Sequence, residues 1–154
     1  MRYIIGIGHA SMSDDGVGLR VAERLAQDGL ERGFEAVSLA DEGLRLLSYF
    51  TAETEKIVLV DAVEMGLAPG DWRVFRPEDV QSVKTTGRLT THEGDILKVL
   101  ELGRRLGTPA PPIAILGIQP GSLGPGLELS PALEQRLETY VSVALAEIAA
   151  FRSP

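Results

Sequence analysis

Three short runs, apolar on both of the faces a strand would present, constrain this chain more than any other feature. They are Tyr3-Ile4-Ile5-Gly6-Ile7, Ile57-Val58-Leu59-Val60 and Ile113 to Ile118. A strand hidden on both faces belongs in a parallel sheet covered by helices, because a sheet with one wet face alternates apolar and polar residues. Phe34 to Leu39 reads as a further strand, and Trp72 to Phe75 as another, introduced by the turn Ala68-Pro69-Gly70-Asp71. Helical signals lie between them. Val17, Val21 and Leu25 recur at four-residue spacing, one stripe of a helix ending near Gly33. Gly43 to Phe50 reads as a short helix. Thr90 stands three residues before Glu93, a capping-box spacing, ahead of an apolar face made by Ile96, Leu97, Leu100 and Leu106. Ser130 as cap and Pro131 at the first helical position open the last helix. Strands alternating with helices predict an α/β protein. The expected form is a three-layer α/β/α sandwich with a mostly parallel central sheet of about five strands, in a single domain over residues 1–154.

The chain has no cysteine, so disulfides, thiolate metal sites and cysteine nucleophiles are excluded. Its formal net charge is −7, which argues against nucleic acid or anionic lipid as a partner. Lys and Arg are scattered, and the pair Arg104-Arg105 falls late in a helix, where the dipole favours it. The segment after Met1-Arg2 is too short for a signal-peptide apolar region, and no run reaches the length of a membrane span. A cytoplasmic monomer is the expectation.

In open parallel sheets, ligands gather beyond the carboxyl ends of the strands. His9, Asp14 and Asp15 follow the first strand, Asp61 ends the third, and His92 opens a helix. A dinucleotide fingerprint starting at Gly6-Ile7-Gly8 fails, since Ser11 takes the third glycine position and two carboxylates would face the pyrophosphate. Gly121-Ser122-Leu123-Gly124 is no nucleophile elbow. Asp14 and Asp15 are adjacent and point apart, so they cannot share one proton as an aspartic-protease dyad does. Carboxylates with one neutral imidazole suit a divalent ion such as zinc or nickel, and a helix N-terminus keeps His92 neutral. Plainer readings stand beside this one. Asp14 serves equally well as a helix cap, Asp61 as an acceptor for backbone amides, and His92 as an exposed first-turn residue.

Four blocks in order carry a family resemblance. Gly6-Ile7-Gly8-His9-Ala10-Ser11-Met12-Ser13-Asp14-Asp15-Gly16-Val17-Gly18 resembles the opening motif of the hydrogenase maturation proteases. Val60-Asp61-Ala62 with Ala68-Pro69-Gly70 resembles their second block, and Thr91-His92 before a helix their third. Gly117-Ile118-Gln119-Pro120, followed by Gly126, Leu129, Ser130 and Pro131, resembles their fourth. The resemblance spans nearly the whole chain. It implies a hydrolase, an aspartyl-type endopeptidase that removes the C-terminal extension of a nickel–iron hydrogenase large-subunit precursor. Asp15, Asp61 and His92 would bind a divalent metal, nickel already held by that precursor, for which zinc or cadmium could substitute. Asp15, Asp61 and Asp41 would be the catalytic acids. Two positions depart from the family. His9 stands where the family usually has Asn, open to reading as a fourth donor or as a space-filling hydrogen-bond donor, of which the second is favoured. Ala40-Asp41-Glu42-Gly43 is a shortened form of the loop tied to cleavage, with Asp41 in its acidic role. That change keeps an alternative open, a non-catalytic maturation checkpoint or chaperone that binds the large subunit. A small-molecule hydrolase on the same fold is a third reading.

Overall fold

The computed structural model describes residues 1–27, 29, 33–40, 43–79 and 91–150, with side chains from residue 96 in the last stretch. Strands β1 (Arg2–Gly8), β2 (Glu35–Ala40), β3 (Lys56–Ala62), β4 (Trp72–Phe75) and β5 (Ile113–Ile118) form one sheet in the order β2-β1-β3-β5-β4. Every pairing is parallel except that of β4 with β5. The expectation of a mostly parallel five-stranded sheet is met. The three apolar runs occupy its three central places, whereas β2 and β4, at the edges, are partly exposed.

Alternation along the strands divides the core between the two faces. Ile4, Val58 and Leu116 point to one face, where they meet Val17, Val21 and Leu25 of α1 (Val17–Gln27). Their neighbours Ile5, Leu59 and Ile115 point to the other, against Leu46, Phe50, Ile96 and Val99. Helix α2 (Thr91–Arg105) carries Ile96 and Val99. Two further helices, α3 (Pro131–Glu134) and α4 (Leu137–Ala149), follow β5, and α4 adds Tyr140, Val141, Ala144 and Ile148 to the first face. Helices on both faces make the three layers. Among the described residues, no helix is long and apolar enough to cross a membrane.

Several local expectations are corrected. Helix α1 stops at Gln27, short of Gly33, because Gly29 takes φ +60 and its N–H returns to the Ala26 carbonyl, a left-handed stop. Gly43–Tyr49 is a 3-10 helix. Leu106 lies beyond the end of α2 and is 65% exposed, so it is not on that helix's apolar face. The last helix is broken at Gln135-Arg136, with Arg136 at φ −107, ψ 8. Ser130 does precede α3, but its hydroxyl does not cap it. Arg104 and Arg105 sit in the last turn of α2, as the dipole favours. The Thr90–Glu93 capping box lies outside the described side chains, and Asp41 outside the described residues altogether.

Candidate active site

β1 has β2 on one side and β3 on the other, so the chain changes direction across the sheet at the β1/β3 boundary. The carboxyl ends of these two strands form the crevice in which such folds place ligands. The glycines of the first motif bring the chain tightly against it. A Cβ on Gly6 would lie 2.1 Å from the Gly18 carbonyl oxygen, and one on Gly18 would lie 2.1 Å from that of Val60. A Cβ on Gly8 would lie 1.9 Å from the Asp15 carbonyl oxygen. The Gly-x-Gly spacing therefore serves backbone packing: it seats the start of α1 and the 3-10 turn Ser13–Gly16 directly on β1 and β3.

This packing carries Asp15 to the end of β1, beside the end of β3 where Asp61 stands. Both are buried, Asp15 to 2% exposure and Asp61 to 0%. Asp61 is still within β3 and pairs in register with Gly117 of β5. His9 lies at the rim, its side chain 38% exposed and its Nε2 3.8 Å from Asp15 Oδ2. Two of the three expected metal ligands thus belong to segments at the carboxyl ends of neighbouring strands. The backbone of the third, His92, is in the first turn of α2, and its imidazole lies outside the described side chains. Among the described residues, no three ligating side chains form a ready-made ion site. The chemistry of the donors nevertheless fits a divalent cation, since two carboxylates and an imidazole are ordinary ligands of such an ion.

Asp14, beside Asp15, has a different occupation. It is fully buried, and its Oδ2 accepts the amides of Gly121 and Ser122, both at 2.8 Å. The Ser130 hydroxyl donates to the same oxygen at 2.8 Å, and the Ser130 amide donates to Oδ1 at 2.6 Å. Burial alone would raise the pKa of this carboxyl, but the bonds from Ser130, Ser122 and Gly121 together hold it below the ordinary carboxylate value. Asp14 does not cap the helix that follows it. The amides it satisfies belong to the loop after β5 and the entry to α3, not to its own helix. Backbone bonds reinforce the join: Ser13 N–H to Gly126 O, Gly126 N–H to Ser11 O, and Asp14 N–H to Ser122 O.

Gln119 is a residue whose role sequence reasoning missed. It is buried at the end of β5, where its Oε1 accepts the amides of Met65 and Leu67 and its Nε2 donates to Glu64. These bonds shape the loop after Asp61. An amide side chain between a buried strand and a proline was the available signal, because it can donate and accept at once.

Residues 19–147 match the family model described as hydrogenase maturation protease. The hydrogenase expression/formation protein HupM of Azotobacter chroococcum is 30% identical over 149 residues, which cover 95% of this chain and 70% of that protein. The hydrogenase maturating endopeptidase HybD of Escherichia coli superposes with TM-score 0.77 at 25% identity, over 95% of this chain and 90% of that one. The nickel–iron hydrogenase maturation protease HybD of Thermococcus kodakarensis gives TM-score 0.75 at 26% identity, over 96% and 98% of the two chains. A family match across most of the sequence, joined to the same fold, shows that this chain belongs to the hydrogenase maturation proteases, a family of peptidases.

Proposed function

We propose that this protein is the endopeptidase that removes the C-terminal extension of a hydrogenase large-subunit precursor, and that it recognises nickel already held by that precursor. The observation that carries this reading is the burial of Asp15 and Asp61 at the carboxyl ends of the neighbouring strands β1 and β3. A divalent cation delivered by the substrate takes carboxylates as ligands. Asp15, Asp61 and His92 supply the donors from the protein, with zinc or cadmium able to replace nickel in the isolated chain. Binding the ion places the adjoining peptide beside the carboxylates. Whichever of Asp15 and Asp61 is less committed to the cation, or Asp41, then accepts a proton from the attacking water.

Incubation of the protein with a precursor carrying its extension, loaded with nickel or free of it, tests this by intact mass. Shortening of the loaded form alone is expected. Tight binding of the loaded precursor with no shortening would replace the peptidase reading with a maturation checkpoint. Shortening of both forms would remove nickel from recognition.

A further inference from the structure

We infer that Asp14 is the positioning residue of this site: by clasping the loop 121–130 it fixes the direction in which Asp15 presents its carboxylate to the cation. This rests on the reading of Asp15 as a ligand. Asp14 and Asp15 are consecutive in the turn Ser13–Gly16, where successive side chains point about 120° apart. The turn is held from both sides. On the strand side, the Asp15 carbonyl oxygen packs so closely on Gly8 that a Cβ there would come within 1.9 Å, and it also accepts the His9 amide. On the loop side, the Asp14 carboxylate takes four donors from Gly121, Ser122 and Ser130. A rotation of the turn that redirected Asp15 would have to break those bonds.

The donors also define what a substitution does. Asparagine offers one acceptor oxygen where aspartate offers two. With that oxygen in the place of Oδ2, its NH2 meets the Ser130 amide, donor against donor. The flipped amide turns its NH2 toward the amides of Gly121 and Ser122 instead. Either orientation costs a buried bond and tilts the turn. Groups that orient a metal ligand from behind typically change affinity or activity by about 10–100-fold when altered.

Nickel(II) alone, titrated calorimetrically into the full chain, is the first readout, and kcat and KM on nickel-loaded precursor are the second. Asp14→Asn, measured where circular dichroism shows it fully folded, is expected to lose about 10–100-fold in nickel affinity and a similar factor in kcat, with KM changed little. Ser130→Ala removes one of the four donors and should fall between Asp14→Asn and wild type, which keeps the test decisive if Asp14→Asn does not fold. Leu25→Ala, in the core at the far end of α1 from the turn Ser13–Gly16, supplies a destabilised control with wild-type nickel affinity and kcat. If Asp14→Asn and Ser130→Ala lower the melting temperature yet bind nickel and turn over like wild type, Asp14 is only a structural clasp and the inference is wrong. Asp15→Asn separates the two layers: unchanged nickel affinity in that variant would overturn the ligand reading itself, whatever Asp14 does.

Discussion

Asp14 and Asp15 are neighbours in one turn, both buried, and the regions they face could hardly differ more. Asp14 looks into a loop that surrounds it with amides and a hydroxyl. Asp15 lies at the end of β1, beside the rim histidine His9. The first carboxylate is stabilised by its surroundings and in turn holds two distant loops together. The second is buried beside the rim histidine. One kind of side chain thus performs two tasks, and the donors around it decide which. A buried carboxylate with four hydrogen bonds ties distant segments of the fold together.

The largest effect that could break this contrast is on activity. Asp61→Asn and His92→Ala should each abolish processing of nickel-loaded precursor, seen as no mass loss. Asp61→Asn should also leave the melting temperature near that of wild type, because Asp61 stands close to the end of β3 and the amide keeps the shape of the side chain. A large loss of stability in Asp61→Asn would mean that Asp61 anchors the fold as Asp14 does, and the contrast would collapse.

The next effect is on the backbone that brings the two regions together. Gly18→Ala would put a methyl 2.1 Å from the Val60 carbonyl oxygen, so α1 must move off β3. A loss of about 1–3 kcal/mol in chemical denaturation, with weakened nickel binding, is expected. Full retention of both would show that the crevice does not depend on this close approach.

Acid then probes Asp14 by itself. Its carboxyl is held below the usual value in the folded chain, so the unfolded chain takes up the proton first as pH falls. The stabilisation is therefore complete above about pH 4, where the unfolded carboxyl is ionised, and is lost as pH drops through the lower native value. Asp14→Ala should cost about 1–3 kcal/mol at pH 7 and flatten this acid limb of the stability curve. An acid limb unchanged in that variant would assign the acid sensitivity elsewhere.

The smallest effect belongs to Tyr140, whose hydroxyl donates to the Gly70 carbonyl at 2.7 Å and anchors the loop after β3 to α4. Burial pushes its pKa up to about 12. Its contribution is present below about pH 10, where the unfolded phenol keeps its proton, and is lost as pH rises towards 12. Tyr140→Phe should cost about 1 kcal/mol at neutral pH and remove that alkaline loss, by thermal melts at pH 7 and pH 10.5.

The sequence alone determined the class of sheet and the places of its strands. Runs such as Ile57–Val60 are apolar on both faces whatever surrounds them, and that local fact requires helices above and below. It also located Asp61 at the end of a strand, because a strand's end is marked by its own residues, and Asp15 in the loop that follows the first strand. The sequence did not determine where α1 stops, since a glycine's left-handed turn at position 29 and one at position 33 look alike in composition. Nor did it show that β4 would run antiparallel on the edge beside β5, or that the last helix would break at Arg136. Above all, only the tertiary structure decided that Asp14, of the two adjacent aspartates, is the one anchored by the loop after β5. The donors that settle it, Gly121, Ser122 and Ser130, lie 107 to 116 residues further along the chain. A hydrogen bond acts over about 3 Å, so its consequences are fixed only once the fold has brought such distant segments together.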